Sequence, residues 1–524
     1  MRNSIVEAVF HHAQRQPERP AIFFEDQIIS YKQLYVEVER FAQALLRQGM
    51  QPGERVALFL ENSPAFVVAY LGTHLAGGIV VLVNTQYRQV ELSHIMADAG
   101  VQFCVTGVSG GEELLPLALP MLTTLIIVDA ADSESSAASV VKRISFSDFV
   151  AADSQHGEHS RDKDSATLGM PASDAPAVLA YTSGTTGRAK GALLLHRNLI
   201  SNVVAVTTAW HWTDDDRLLL MLPLFHTHGL MVGMHGTLFM GASAVLRRKF
   251  DAVDCLTMLH NDPSITLFFG VPTMYTRLLA EAERQGVPSH VLRLFVSGSA
   301  PLSAQLFQRF ADSFGQLILE RYGMTETIMN LTNPYIDERR AGTVGGPFPG
   351  QEARVVDVTS RQLLPAGEIG EIEVRGPHVF VGYWNQPAAT AEAFSSDGWF
   401  KTGDLGWYSS DGYYTITGRA RELIISGGYN IYPREVEDVL ETYEDIAEVA
   451  VLGLPDADMG EQVVAVVVPK AGRNPDAASI IAFCRERLAS YKKPRQVVFV
   501  AVLPRNALGK VQKHVLSAQL QSAN

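Results

Sequence analysis

The stretch Tyr181-Thr182-Ser183-Gly184-Thr185-Thr186-Gly187-Arg188-Ala189-Lys190-Gly191 holds three glycines, three threonines, one serine, one arginine and one lysine. It follows an apolar run, Ala177-Val178-Leu179-Ala180, that reads as a buried strand. It precedes Ala192-Leu193-Leu194-Leu195-His196, after which the pattern turns helical. Gly184, Gly187 and Gly191 let the backbone turn so that its N–H groups converge on an anion. The hydroxyls of Thr182, Ser183, Thr185 and Thr186 add donors without adding charge, and Arg188 and Lys190 supply the cations. A strand that runs into such a turn is a phosphate cradle. The P-loop pattern G-x-x-x-x-G-K-[ST] is absent. The competing reading is a solvent-exposed Ser/Thr/Gly linker, but linkers rarely sit directly behind a buried strand.

Around the cradle, 524 residues are too many for one hydrophobic core, so two or more lobes are expected. The 47% hydrophobic and 19% charged content is that of a globular chain. A net charge of −13 argues against general nucleic-acid binding. From Tyr491 to Asn524 there is no Asp or Glu, while Lys492, Lys493, Arg495, Arg505, Lys510 and Lys513 are present. That basic tail points to a polyanionic ligand or to a solvated helix face. Cys104, Cys255 and Cys484 lie far apart among apolar residues, which fits a reducing cytoplasm. The N-terminus lacks the apolar core of a secretory signal. The most apolar stretch, 218–240, contains His226, His228 and His235 and is poor as a membrane span.

Residues 31–48 read as an amphipathic helix with Leu34, Val38, Phe41, Ala42 and Leu45 on one face and Gly49 as its stop. Strands over 55–60, 80–83 and 101–105 alternate with helices over 64–76 and 89–99, which argues for a parallel α/β layer. Residues 130–173, rich in Ser, Asp and Ala, read as a long surface loop. In LPLFHTHGL (222–230) two histidines are too few ligands for zinc and read as core or loop residues. After the apolar strand 265–271, Pro272 opens a helix that ends at Gly286. Its apolar face carries Met274, Tyr275, Leu278 and Leu279, and Arg277 stands four residues before Glu281, the spacing of a surface ion pair. In LILERYGMTET (317–327), Tyr322 offers a face for stacking a base, Thr325 a donor for a phosphate oxygen, and Glu326 a carboxylate for Mg²⁺. Ligands in open α/β sheets collect at the carboxyl ends of strands. Asp404, in a tight loop after Gly403, is a lone carboxylate suited to the two hydroxyls of a ribose. A strand ends at Gly418-Arg419, a helix starts near Pro433, two strands lie in 447–453 and 462–468, and a terminal glycine turn carries Lys510.

Five motifs in order, YTSGTTGRAKG, ERYGMTET, KTGD, GRAREL and LPRNALGK, resemble those of the adenylate-forming superfamily of acyl-CoA synthetases, luciferases and nonribosomal adenylation domains. The resemblance spans nearly the whole chain. It implies an α/β fold, with a large N-terminal domain of layered sheets and helices (1–420) and a smaller mobile α+β C-terminal domain (421–524) that pivots at Arg421. It implies ATP, Mg²⁺ and coenzyme A as cofactors, and a carboxylate that attacks the α-phosphate before the CoA thiol displaces AMP. Carried over onto matching positions, Thr182, Ser183, Gly184, Thr185, Thr186, Gly187 and Lys190 hold ATP together with Ser299, Glu320, Arg321, Tyr322, Gly323, Met324, Thr325, Asp404 and Arg419. Thr182 and Glu326 hold the metal and, with Lys510, carry catalysis, while Gly428 borders the pantetheine tunnel. His226, His228, Arg277, Ser297 and Met324 line the acid pocket.

Within the superfamily the chain most resembles malonyl-CoA synthetases, through LPLFHTHGLMVG, FFGVPTMYTRLL, RLFVSGSAPL and ERYGMTETIMNLTNPY. That resemblance sets Arg277 against the distal carboxylate of malonate, or of methylmalonate, in place of the surface pair with Glu281. Three other readings stay open at this point. They are a short- or medium-chain fatty acyl-CoA synthetase, an adenylation module for a carrier protein, and a non-catalytic nucleotide-binding regulator.

Overall fold

A computed structural model describes residues 2–129, 141–151, 168–182, 188–290, 292–427, 429–456, 459–506 and 509–523. The predicted helix at 31–48 forms over Tyr31–Arg47. Ser30 caps it in a reciprocal capping box with Gln33, and Leu34, Val38, Phe41, Ala42 and Leu45 are all buried. It packs against helix Pro64–Leu75 so closely that a Cβ on Gly72 would lie 2.7 Å from the Phe41 ring, a position only glycine fills without a shift. Each of these large apolar side chains contributes at most about 1.5–3 kcal/mol of burial.

Two mainly parallel sheets form the large domain. An eight-stranded sheet has the cradle strand Pro176–Thr182 beside Ile79–Leu82, followed outward by Arg55–Phe59, Phe103–Gly107, Thr124–Val128 and Lys142–Ser145. On the other side the cradle strand pairs antiparallel with Lys190–Leu195, which also carries the two-residue strand Gly382–Tyr383. The second, nine-stranded sheet has a parallel centre that includes Arg217–Leu220, Leu267–Gly270, Leu294–Ser297 and Leu319–Tyr322. A four-stranded antiparallel sheet follows, made of Glu352–Val356, Gly370–Arg375, Phe400–Tyr408 and Tyr414–Arg419.

The expected loop over 130–173 needs correcting within its described part. Lys142–Ser145 is an edge strand and Phe146–Ala151 a helix. Phe146 and Phe149 sit 5.7 and 5.2 Å from the Phe41 ring, so tertiary packing orders a segment too short to show a period of its own. Residues 130–140 and 152–167 lie outside the described residues.

The smaller domain is a five-stranded sheet built on the long hairpin Ile446–Asp456 and Gly460–Pro469. One face packs Val436, Leu440, Ile480 and Cys484 of helices Pro433–Leu440 and Ala477–Arg487. The other packs Leu503, Val511 and Leu516, so the loop that carries Lys510 lies on the face away from those two helices. Three of the six basic residues of the tail are paired inside this part of the chain. Lys492 pairs with Glu435, Arg505 with Glu448 at 2.7 Å, and Lys513 with Glu437 at 2.6 Å. Much of the basic run therefore has internal partners. Cys104, Cys255 and Cys484 are free and buried. Among the described residues no helix is long and apolar enough to cross a membrane.

Candidate active site

The cradle strand ends at Thr182, whose register partner across the hairpin is Lys190. Ser183, Gly184, Thr185, Thr186 and Gly187 lie outside the described residues, as does Gly428. Lys190 Nζ stands 5.1 Å from the centre of the Tyr383 ring. Tyr383 in turn donates through its hydroxyl to Glu326 Oε1 at 2.9 Å. The Glu326 backbone carbonyl accepts from Phe380 N at 2.8 Å, which pins the turn to the segment before Tyr383. Burial pushes the Glu326 carboxyl up, and hydrogen bonds, that of Tyr383 among them, oppose it. A divalent cation would add to that opposition. One carboxylate plus the Thr182 hydroxyl fits magnesium, which takes few protein oxygens and completes its shell with phosphate and water. The sequence reading missed Tyr383. Its signal was the aromatic pair after Gly382, but only the pairing of Gly382–Tyr383 with Lys190–Leu195 brings it to the cradle.

Asp404 corrects its expectation twice. It does not sit in a tight loop but inside the strand Phe400–Tyr408, after Gly403 at φ +69°. It is not lone either. Arg419 is its register partner and its Nε lies 2.9 Å from Asp404 Oδ1. Tyr322 donates through its hydroxyl to Asp404 Oδ2. Asp404 N is held by Thr402 Oγ1 at 3.1 Å. The Asp404 carboxylate holds the Arg419 guanidinium above the usual arginine range. One end of the strand Leu319–Tyr322 thus meets two strands of the antiparallel sheet in a Tyr–Asp–Arg triad.

Lys510 arrives from the smaller domain. Its loop closes on itself: Lys510 N donates to Asn506 Oδ1 at 2.9 Å, Asn506 N to Lys510 O at 2.9 Å, and Gly509 N to Asn506 O at 2.8 Å. Gly509 has φ +75° and approaches helix Pro272–Gln285 so closely that a Cβ would lie 2.7 Å from Thr273 Oγ1. Burial lowers the Lys510 ammonium, Arg419 adds to this, and Asp404 and Glu422 oppose it. Lys510 therefore shares the electrostatic field of the Asp404–Arg419 pair. Arg421 lies exposed in the short turn Ala420–Glu422 that follows.

On the remaining side, strand Leu294–Ser297 runs into Gly298 and Ser299, and Ser299 adopts φ +68°. Ser297 and His228 are buried and His226 is half-buried. Ser299 Oγ and His228 Nδ1 are 3.4 Å apart. Burial, aided by the Arg321 charge, lowers His226 to about 4, so it is neutral at pH 7. Gly323 is forced, because a Cβ there would meet the Ile328 carbonyl at 2.0 Å. Met324 and Thr325 are half-buried beside it. Glu320 is buried and its carboxyl is pushed up to about 8 by burial, with one oxygen accepting from Leu302 N at 2.9 Å.

Arg277 is exposed and meets neither expectation in full. The surface pair with Glu281 does not form. Glu281 is buried and pairs instead with Arg284 at 2.9 Å and with Gln285, on the opposite side of its own turn. Nor is the guanidinium enclosed. Arg277 does share a helix face with Thr273, four residues earlier, and Thr273 is the residue that meets the Lys510 loop.

The AMP-binding enzyme family matches residues 9–384, and the AMP-binding enzyme C-terminal domain matches residues 435–510. A long-chain-fatty-acid–CoA ligase of Bacillus subtilis is 36% identical over 96% of this chain and 92% of its own. A malonate–CoA ligase of Arabidopsis thaliana is 32% identical over 99% of this chain and 89% of its own. The ATP-bound crystal structure of MatB from Rhodopseudomonas palustris superposes with a TM-score of 0.89 at 38% identity, covering 100% of both chains. The apo structure of the same protein superposes at 0.78.

Proposed function

Because this chain belongs to the AMP-binding enzyme family and is an AMP-forming acid–CoA ligase that uses ATP and coenzyme A, we propose that its acid substrate is malonate. The observation that carries the reading is the placement of Arg277 one helical turn from the Thr273–Gly509 contact. The two carboxylates of malonate are separated by a single methylene. If Lys510 meets the reacting carboxylate, the cation that meets the other must stand close by, and residues four apart on a helix are ~6 Å apart at Cβ. Arginine reads a carboxylate bidentately, which suits that role.

In the first half-reaction one malonate oxygen attacks the α-phosphorus of ATP, the P–O bond to pyrophosphate breaks, and malonyl-AMP forms. This brings anion onto anion, so oriented cations and donors supply the main lowering of the barrier. Lys510 bridges the attacking carboxylate and the α-phosphate. Thr182, Lys190 and the cradle hold the polyphosphate, with Ser299 and Thr325 at its edge. Glu326 and Thr182 would hold Mg²⁺, which would neutralise phosphate charge. Asp404 and Arg419 grip the ribose, and Glu320, Tyr322, Gly323 and Met324 shape the wall beside the adenine and the acid. His226 and Ser297 line the acid side. In the second half-reaction the CoA sulfur attacks the acyl carbon, AMP leaves, and the thiol proton goes to solvent. The smaller domain, taken from residue 421, turns about Arg421 between the two, so that Lys510 withdraws and Gly428 meets the pantetheine arm. We place the enzyme in the cytoplasm on the strength of its three unpaired, buried thiols.

A second reading, a short- or medium-chain fatty acyl-CoA synthetase, is favoured by the exposure of Arg277. A panel of acids, assayed for pyrophosphate release and thioester formation, separates the two. Malonate should give the highest kcat/KM, followed by methylmalonate. A preference for butyrate or longer monocarboxylates would reject the malonate reading.

A further inference from the structure

We propose that Arg321 is the buried cation that reads the second carboxylate of the acid substrate, with His228 beside it. The inference rests on the malonate reading above and names a specificity residue for it.

Along the strand Leu319–Tyr322 successive side chains point to opposite faces. Tyr322 faces Asp404, so Arg321 faces away from that nucleotide-side triad. Its guanidinium lies against the turn after Ser297, where a Cβ on Gly298 would meet Arg321 Cζ at 2.5 Å. A side chain there would force the guanidinium to shift. Arg321 is 3% exposed, yet its Nε and Nη2 find no hydrogen-bond partner among the described residues. These two atoms form one edge of the guanidinium, the edge that a carboxylate meets side-on with two parallel hydrogen bonds. A further buried polar atom close by, His228 Nε2, is also without a partner among the described residues. His228 lies near Arg321, whose charge adds to burial in lowering the imidazole, whereas Ser297, the register partner of Glu320, faces the other side of the sheet.

The acid next to Arg321 does not take that edge. Glu320 points to the other face of the strand, one of its oxygens is held by Leu302 N, and its own Oε2 is unpartnered. A buried arginine with an open edge is costly, and a small anion with two oxygens in one plane is the group that fits it. The other cations of the site, Lys190, Arg419 and Lys510, stand with Glu326 and Asp404 on the nucleotide side. Arg321 is therefore assigned to the acid. Arg277 approaches the same carboxylate from solvent and Arg321 from the protein interior.

Arg321→Gln removes the charge and keeps a donor, and Arg321→Lys keeps the charge and loses the fork. The malonate and butyrate kcat/KM values, the KM for ATP and the melting temperature with and without malonate are measured for each and for the native enzyme. For Arg321→Gln the malonate-to-butyrate ratio should fall at least a hundredfold, with partial recovery in Arg321→Lys, the ATP KM within threefold of native, and no malonate-induced rise in melting temperature. His228→Gln, which keeps a donor in place of the ring, keeps the test open if the Arg321→Gln variant fails to fold. Its ratio should fall about fivefold to tenfold. An unchanged ratio in these variants while the native enzyme prefers malonate overturns the assignment and leaves the malonate reading standing. A parallel loss for both acids with a raised ATP KM makes Arg321 a phosphate or turn-holding residue and also overturns it. A native enzyme that ignores malonate overturns both.

Discussion

Acid should weaken the large domain through a cluster of neutral imidazoles behind the cradle strand. His74 is buried with its Nε2 3.0 Å from the Ala177 carbonyl of that strand. Its ring lies 4.4 Å from Tyr70 and 4.6 Å from His196. His235 Nε2 is 3.0 Å from the Tyr70 hydroxyl. Burial lowers His74 to about 4, and burial with the His74 charge lowers His235 to about 3. An unfolded histidine titrates near 6.5. Below that pH the unfolded chain takes up protons that the folded cluster refuses, so stability falls as the pH drops from 6.5 toward 4 and levels off below about 3. At pH 5 the unfolded state has gained about 1.5 pH units of binding free energy per histidine. That is about 2 kcal/mol each and about 4 kcal/mol for the pair. Against a net stability of roughly 5–15 kcal/mol this is a large share. Urea titrations at pH 8 and pH 5, followed by tryptophan fluorescence, measure it. His74→Gln, which is neutral at both values, should lose about 2 kcal/mol less than the native enzyme between the two pH values. Equal losses for the two proteins would refute the reasoning and place the acid sensitivity elsewhere.

Three further outcomes are expected. Lys510→Ala should abolish pyrophosphate release yet form thioester from supplied acyl-AMP, and equal loss in both assays would reject a role limited to the first half-reaction. Arg277→Ala should cost roughly 1.5–3 kcal/mol in kcat/KM for malonate, the worth of a hydrogen bond to a charged group, while butyrate holds or gains. No change for malonate would return Arg277 to an ordinary exposed cation. Tyr383→Phe removes the donor to Glu326 and should raise the Mg²⁺ concentration needed for half-maximal rate about fivefold to thirtyfold, from a loss of about 1–2 kcal/mol. An unaltered magnesium dependence would detach Tyr383 from the metal side of the site.

What could be read before the structure was local. Helices with a strong period and a marked stop, such as Tyr31–Arg47 before Gly49 and Pro272–Gln285 before Gly286, stand within a residue or two of expectation. The strand before the cradle and the glycine turn before Lys510 are local signals as well. What escaped depended on partners distant in sequence. Tyr383 reaches Glu326 from 57 residues away, and Arg419 reaches Asp404 through strand register. Asp404 read as a loop residue because Gly403 resembles a turn, whereas the left-handed glycine is absorbed inside a strand that shifts register at Leu405/Gly406. Lys142–Ser145 is stabilised by its neighbour strand and Phe146–Ala151 by Phe41, neither of which a composition scan can see. Arg277 went astray because sequence spacing says which face a side chain shares but not how much of it water reaches.

The three cysteines divide among the layers of the molecule: Cys104 in a strand of the eight-stranded sheet, Cys255 in helix Ala252–Asn261, and Cys484 in helix Ala477–Arg487 of the smaller domain. Burial raises all three thiols above the ordinary range, Cys484 to about 11, so none is a reactive thiolate in the closed protein. Each becomes alkylable only when its own layer breathes. The native chain thus carries three chemical clocks, and timing the labelling of each peptide would rank how often the two sheets and the smaller domain come apart without adding a single probe.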